Sequence, residues 1–148
     1  MNIAIGADHR GFECKAYLKQ YVVGIDDPVV WIDVGAENDE RSDFPVYTKK
    51  VCELIIKGET ERGILICGSG IGMSIAANRY SKIYAALTWN NDVARLSKEH
   101  NNANVLVLPA DFVSPEQAAE MVNTWLKATF QGGRYQERID MIGTITKN

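Results

Sequence analysis

The sequence has 148 residues, of which 46% are hydrophobic and 24% charged, and its formal net charge is -3. These values predict a globular chain with one domain over residues 1–148, and they argue against nucleic acid as the main partner. No run of about 18 apolar residues is present, so no membrane span is expected. The three cysteines fit a reducing cytoplasm, and the segment Met1–Gly6 does not resemble a signal peptide.

The first half of the chain contains two apolar strands, each followed by a helical pattern. Asn2–Gly6 predicts the first strand, and a helix follows it after a short turn. Val29–Asp33 predicts the second strand, and the polar segment Gly35–Ser42 is typical of a loop. A second helix is expected from Pro45 to about Gly58, because proline suits the first helical turn. The apolar stripe of the first helix consists of Phe12, Tyr17, Leu18 and Tyr21.

The second half repeats this alternation. Three more strands are predicted, at Gly63–Cys67, Tyr84–Leu87 and Val105–Leu108. Helices are expected to follow them at Gly70–Asn78, Asp92–His100 and Pro115–Phe130. Ser114 is a good N-cap for the last of these helices, and Gly132-Gly133 ends it. A final basic helix is expected over about Tyr135–Met141.

Five short apolar strands separated by helices are typical of parallel βαβ units. The right-handed crossover rule then favours an α/β fold of three layers, a doubly wound, Rossmann-like arrangement with a five-stranded parallel sheet. Ligands of such folds bind beyond the carboxyl ends of the strands. The residues that follow those ends here are Asp8-His9, Asp33, Cys67–Gly70, Thr88-Trp89-Asn90 and Pro109-Ala110-Asp111.

A glycine-rich loop, Gly68-Ser69-Gly70-Ile71-Gly72, follows the third strand. It is not the dinucleotide fingerprint, because Met73 occupies the position of the last glycine, and no Lys-Ser/Thr pair follows as in a nucleoside-triphosphate loop. Closely spaced backbone N–H groups before a helix suit an anion or a developing oxyanion. The alternative is a tight turn that binds no ligand.

The cysteines and histidines give further candidates. Cys67 ends a strand next to this loop, an environment that favours a thiolate base or nucleophile, although most free cysteines are buried packing residues. Cys14 and Cys52 lie within helical patterns and are expected to pack in the core. His9 and His100 are either proton shuttles or solvated surface residues. No ligand spacing typical of a metal site is present, so no metal is expected.

Two arginines in the last helical region are candidates for binding a phosphate group, and an aspartate before the first helix is a further candidate site residue. Arg134 and Arg138 are four residues apart and so share one helix face. Two guanidinium groups on one face can clamp a phosphate, whereas the alternative is an ordinary solvated helix. Asp8 either orients a hydroxyl group or His9, or caps the first helix.

Four segments together resemble one family. They are Ile5-Gly6-Ala7-Asp8-His9-Arg10-Gly11-Phe12, the stretch Gly63–Asn78, Glu99-His100-Asn101-Asn102-Ala103-Asn104-Val105-Leu106, and Gly132-Gly133-Arg134 with Arg138. In this order and spacing, from about residue 2 to residue 142, they resemble ribose-5-phosphate isomerase type B. The wider family includes galactose-6-phosphate and allose-6-phosphate isomerases.

The resemblance implies an aldose–ketose isomerase of the pentose phosphate pathway. It would interconvert ribose 5-phosphate and ribulose 5-phosphate through an enediolate, without a metal or other cofactor. Cys67 matches the base, whereas a second branch of the family uses a glutamate at the position of Met73. Ser69 replaces a more usual threonine and keeps the catalytic hydroxyl. The N–H groups of Gly68, Gly70, Ile71 and Gly72 would hold the enediolate oxygen.

The resemblance also assigns the remaining site residues. His100 matches the residue that opens the sugar ring, and Asn101 and Asp8 match contacts to sugar oxygens. His9, Arg134 and Arg138 match phosphate ligands. Family members are homodimers or dimers of dimers with shared sites, and their C-terminal helix reaches the partner subunit. We therefore expect a small-molecule sugar phosphate as substrate and a second copy of the chain as partner.

Two departures leave alternatives open. Many relatives carry a phosphate-binding arginine after the fifth strand, whereas this chain has Pro109-Ala110-Asp111. Relatives also often have Cys-His-Asp where this chain has Thr88-Trp89-Asn90, and Trp89 could alter the wall of the sugar pocket. The alternatives are an isomerase of a hexose 6-phosphate, of the allose or galactose type, and a non-catalytic module that binds sugar phosphates.

Overall fold

The computed structural model describes residues 1–24 and 26–145, so the predicted domain end at residue 148 lies outside the described residues. The strands of this part are β1 (Asn2–Ala7), β2 (Val30–Asp33), β3 (Arg62–Cys67), β4 (Ala85–Leu87) and β5 (Val105–Pro109). They form one parallel sheet in the order β2-β1-β3-β5-β4. The predicted five-stranded parallel sheet is confirmed.

Helices cover both faces of this sheet. They are α1 (Phe12–Tyr21), α2 (Phe44–Ile56), α3 (Ile71–Ala77), α4 (Asn91–Asn101), α5 (Pro115–Lys127) and α6 (Arg134–Ile145). Buried residues of α1, α4 and α5 form one apolar cluster with the sheet, and those of α2 and α3 form a second cluster. The architecture is therefore the predicted three-layer, doubly wound α/β fold.

Alternation along the strands decides which core each side chain enters. Ile64 and Ile66 of β3 belong to the cluster with α1, α4 and α5, whereas Leu65 and Cys67 belong to the cluster with α2 and α3. Successive strand side chains point to opposite faces, so a central strand buried on both sides must be apolar throughout. Because of this alternation, the Cys67 thiol lies on the face that α2 and α3 cover.

Two helix boundaries differ from the prediction. Helix α5 begins as expected, with the Ser114 side chain accepting from the N–H of Gln117 in a capping box. It ends at Lys127 rather than near Phe130, because the backbone of Ala128 is extended, and the Gln131 N–H donates to the Glu99 carbonyl at 3.0 Å instead of continuing the helix. The last helix is longer than expected and runs from Arg134 to Ile145.

The buried face of α1 also differs from the predicted stripe. Leu18 is fully buried, but Tyr21 is 53% exposed, and the other buried positions of the helix are Cys14 and Lys15. Lys15 lies inside because its ammonium group pairs with Asp33 at 2.7 Å and donates to the Ala36 carbonyl. A paired and hydrogen-bonded lysine can replace an apolar residue at a buried position.

The helices return the chain to the opposite end of the sheet. Helix α4 begins after the carboxyl end of β4 and ends just before the amino end of β5, and its 11 residues span about 16 Å. Helix α5 runs in the same direction, so α6 begins on the amino side of the sheet. None of the helices in residues 1–24 and 26–145 is long and apolar enough to cross a membrane.

Candidate active site

The predicted thiol lies where the sheet reverses its winding. β1 is joined through α1 to β2 on one side, and the chain then crosses to β3 on the other side of β1. This topological switch point lies between the carboxyl ends of β1 and β3, where doubly wound folds bind ligands. Cys67 ends β3 and is 5% exposed, and Asp8 follows β1 directly.

The glycine loop surrounds the thiol with backbone donors. Burial raises the pKa of the Cys67 thiol, and backbone hydrogen bonds from Met73, Gly70 and Ser69 oppose this rise by favouring the thiolate. The N–H of Ile71 is 3.2 Å from the Ser69 hydroxyl oxygen, to which it donates. Part of the predicted oxyanion loop is therefore directed at the Cys67 sulfur.

Gly70 is required by the geometry of this loop. It has a φ of +74°, and a β-carbon there would lie 2.4 Å from Cδ1 of Leu87. A larger residue would therefore meet both backbone strain and a side-chain clash. These two constraints fix the turn that directs the loop around Cys67.

Asp8 and His9 are held close to the thiol by local and distant contacts. Oδ1 of Asp8 accepts from the N–H groups of Arg10 and Gly11, at 2.9 and 3.2 Å, so Asp8 does cap the turn before α1. The His9 N–H donates to the Ser42 hydroxyl at 3.1 Å, and His9 Nδ1 lies 3.2 Å from the Ser42 carbonyl oxygen. Ser42 therefore fixes the imidazole and leaves Nε2 free of this contact.

Arg10 and Asp111 form an ion pair across the glycine loop. Nη2 of Arg10 donates to Oδ2 of Asp111, while the Asp111 N–H donates to the Gly68 carbonyl at 3.0 Å. The pair raises the pKa of the Arg10 guanidinium. We call the surface formed by Asp8, His9, Arg10, Cys67–Gly72 and Asp111 the thiol half-site.

A second group of predicted residues lies on α4 and α6. The His100 ring stacks on the Tyr135 ring, with centroids 4.2 Å apart and planes 8° apart. The guanidinium carbons of Arg134 and Arg138 lie 5.1 and 6.0 Å from the centroid of the same Tyr135 ring. We call His100, Asn101, Arg134, Tyr135 and Arg138 the imidazole half-site, in which Asn101 is exposed.

The structure does not bring the two half-sites together within one chain. Cys67 lies at the carboxyl end of β3, whereas His100 lies one residue before the end of α4, which has returned to the amino end of the sheet. Arg134 begins α6 on that same amino side. The predicted base and the predicted ring-opening histidine are therefore separated along the strands.

Two other strand ends carry structural residues. Asp33 binds Lys15 and Lys19, and although burial opposes its ionisation, these hydrogen bonds and that of the Gly35 N–H lower its pKa. The Asn90 side chain caps α4 by accepting from the Val93 N–H at 2.8 Å. No group of three or more potential metal ligands occurs in the described ranges.

Sequence reasoning missed Arg10 and Tyr135 of the half-sites, and it missed Ser42, which holds His9. Arg10 and Ser42 gave no local signal, because they act on residues 101 and 33 positions away. Tyr135 follows Arg134 in a basic helix, and an aromatic residue beside a phosphate clamp could have suggested a stacking partner. Trp89, the aromatic residue in the segment that departs from many relatives, is 58% exposed after β4.

A thiol and a glycine loop at the switch point of a doubly wound sheet are typical of the active site of an enzyme that acts on a small molecule. Residues 3–142 match the family model described as Ribose/Galactose Isomerase. The chain belongs to this family, and the resemblance inferred from its four sequence segments is confirmed.

Individual relatives agree with this membership over almost the whole chain. Ribose-5-phosphate isomerase B of Escherichia coli (strain K12) is 41% identical, over 97% of this chain and 95% of that protein. The crystal structure of a ribose 5-phosphate isomerase from Thermotoga maritima is 48% identical, with a TM-score of 0.89 and coverage of 95% and 96%. Ribose-5-phosphate isomerase B of Mycoplasma genitalium, solved with bound ribulose-5-phosphate, is 38% identical, with a TM-score of 0.87 and coverage of 95% and 93%.

Proposed function

We propose that this chain interconverts ribose 5-phosphate and ribulose 5-phosphate through an enediolate. The observation that carries the proposal is the Cys67 thiol, which lies within the glycine loop at the switch point. Relatives at 41% and 48% identity bear the name of this isomerase. A reducing cytoplasm suits such an enzyme, because a disulfide would remove its thiolate and all three cysteines are free.

The thiol half-site carries the proton transfer. Cys67, as thiolate, takes the proton from C2 of the open-chain aldose, and the carbonyl oxygen on C1 becomes the enediolate oxygen. The carbon-bound proton then returns to C1, while the proton of the C2 hydroxyl passes to the C1 oxygen, so that C1 carries a hydroxyl and the C2 oxygen becomes the carbonyl of the ketose. Loop N–H groups and the Ser69 hydroxyl stabilise the oxygens, and Asp8 binds a sugar hydroxyl through the carboxylate oxygen that does not cap the turn.

The imidazole half-site carries ring opening and phosphate binding. His100 moves the proton that opens the furanose, and Asn101 binds a sugar oxygen. Arg134 and Arg138 bind the phosphate together with His9 of the thiol half-site. Stacking on Tyr135 supports this role by fixing the plane of the His100 ring.

A second copy of the chain brings the half-sites together. In a two-fold dimer, the carboxyl end of one sheet can face the amino end of the other, so that two complete sites form at once. α6 reaches the partner in this arrangement. Exposed apolar side chains near both half-sites support such a contact: they are Ile71, Ile75, Trp89, Phe112, Met141, Ile142 and Ile145. The assembly is a homodimer or a dimer of dimers.

The test is a coupled isomerase assay with ribose 5-phosphate, allose 6-phosphate and galactose 6-phosphate, with and without a chelator. We expect ribose 5-phosphate to have the highest kcat/KM and chelation to leave it unchanged, because the proposed steps use protein groups alone. Preference for a hexose phosphate would establish the alternative substrate class. Binding of sugar phosphates without turnover of any of them would contradict an isomerase and indicate the non-catalytic alternative.

A further inference from the structure

The ion pair between Arg10 and Asp111 lies directly against the glycine loop. A β-carbon added at Gly68 would be 2.7 Å from Nε of Arg10 and 2.6 Å from Oδ2 of Asp111. Gly68 therefore has no side chain at the point where these two residues meet. The pair rests on the loop that follows Cys67 and forms part of the surface of the thiol half-site.

Arg10 is fixed at both ends. Its backbone N–H donates to Oδ1 of Asp8, which is 5% exposed, and Nη2 donates to Asp111. The Asp111 backbone is in turn hydrogen-bonded to Gly68, and the Ala110 N–H donates to the Cys67 carbonyl at 2.9 Å. Ordering a long side chain in advance reduces the entropy that ligand binding would otherwise cost.

The guanidinium still has donors for a ligand. The Arg10 side chain is 57% exposed, and only one of its five N–H donors is needed for Asp111. A planar guanidinium matches the oxygens of a phosphate in a bidentate arrangement. His9, the phosphate ligand proposed above, is the preceding residue of the same turn after β1, so both side chains extend from one short segment.

We propose that Arg10 is a substrate-binding residue that contacts the phosphate, and that Asp111 positions its guanidinium over Gly68. Resting on the isomerase function proposed above, this assignment accounts for an acidic residue after β5 where a basic one was expected. The positive charge of the thiol half-site comes from the loop after β1 instead. Asp111 then contacts the cation and not the phosphate.

The first experiment replaces Arg10 and measures two properties. In Arg10→Gln, we expect KM for ribose 5-phosphate to rise about 10- to 100-fold while kcat changes less than about threefold, because a charge-assisted contact to a remote group is lost. The rise in melting temperature caused by inorganic phosphate should shrink, and this measurement does not depend on turnover. Lys57→Gln removes the same charge from an exposed position at the end of α2 and should change neither.

The second experiment moves the charge to the other side of Gly68. In the double variant Arg10→Gln/Asp111→Arg, the guanidinium is carried by position 111 instead of position 10. From there it can reach the same position beside Gly68. We expect KM to recover by at least about tenfold relative to Arg10→Gln. Asp111→Ala alone removes the acceptor that positions the Arg10 guanidinium, so KM should rise about three- to tenfold with little change in kcat.

Several outcomes would overturn the assignment. The first is an unchanged KM in Arg10→Gln, and the second is a fall in kcat of that variant at constant KM. The third is a double variant whose KM is no lower than that of Arg10→Gln. A fall in kcat would instead mean that Arg10 acts on the Cys67 thiolate. A wild-type protein that isomerises nothing but loses its phosphate-induced stabilisation in Arg10→Gln would reject the proposed function and retain the phosphate contact. If Arg10→Gln does not fold, Arg10→Lys tests the same KM with its charge kept and its bidentate geometry lost.

Discussion

The two half-sites are built in different ways. In the thiol half-site, Cys67 is 5% exposed, at the end of a central strand, and backbone hydrogen bonds surround its sulfur. In the imidazole half-site, His100 lies near a helix end, and its ring stacks on a side chain from another helix. The sheet core fixes the first, whereas the second depends on contacts between surface side chains.

This difference explains which parts of the reaction each half-site can perform. Abstraction of a carbon-bound proton needs a base and an oxyanion site held in fixed relative positions, and backbone N–H groups provide such positions. In the proposed function, ring opening and phosphate binding use the half-buried His100 and the exposed arginines Arg134 and Arg138, which approach the substrate from outside the sheet. In the proposed dimer, the imidazole half-site becomes part of a complete site when the partner subunit covers it.

The largest effect is expected when the base is removed. Cys67→Ala should lower kcat by at least about 1,000-fold, because the group proposed to take the proton from C2 is lost. Its circular dichroism spectrum and oligomeric state should be unchanged. Cys14→Ala, which removes a buried thiol of α1, is the matched control and should retain turnover. Near-normal turnover of Cys67→Ala would reject the assignment of the base.

The next largest effect is expected from pH, which acts on the thiol half-site through the ionisation of Cys67. Because the thiolate is the active form and burial raises the pKa of Cys67, kcat/KM should rise with pH through that raised pKa. Below the pKa, each pH unit should cost about tenfold. Alkylation by iodoacetamide should follow the same curve and be lost in Cys67→Ser, since burial raises the pKa of Cys14 and Cys52 to about 12. A thiol that titrates below its ordinary range would contradict this expectation.

Removal of one arginine from the imidazole half-site should have a smaller effect. Arg138→Gln or Arg134→Gln should raise KM for ribose 5-phosphate about tenfold with little change in kcat, because the phosphate is remote from the reacting carbons. Lys127→Gln, an exposed charge at the end of α5, is the control. An unchanged KM in both arginine variants would mean that the phosphate does not bind to this half-site.

The smallest effect on turnover is expected at Asp33, which ends β2 but lies outside both half-sites. Asp33→Asn should leave kcat/KM unchanged and lower the free energy of unfolding at pH 7 by about 1–2 kcal/mol, since Lys15 loses its charged partner. The pKa of Asp33 is lowered, so its contribution is present above the unfolded pKa and is lost as pH falls through the folded one. Urea unfolding at pH 7 and at a pH below the folded pKa of Asp33 tests this expectation. Asp39→Asn, at an exposed position, is the control.

The sequence predicted the elements better than the contacts between them. The run from Gly63 to Cys67 is apolar and ends at a glycine loop, so both the strand and the position of the thiol followed from local pattern. Arg10–Asp111 and His9–Ser42 join residues 101 and 33 positions apart, and no local pattern encodes such a pair. The burial of Lys15 on α1 was not predicted, because it depends on a pair with Asp33 at the end of β2.

The spatial separation of the half-sites has the most direct test in a mixing experiment. Cys67→Ala and His100→Asn subunits are mixed in equal amounts, dissociated and reassembled, and ribose 5-phosphate turnover is measured. If each site combines Cys67 of one subunit with the imidazole half-site of another, half of the dimers are mixed and each has one complete site. About a quarter of wild-type activity should then return. No recovery, with mixed dimers verified by mass, would mean that Cys67 and His100 act within one chain and would contradict the account.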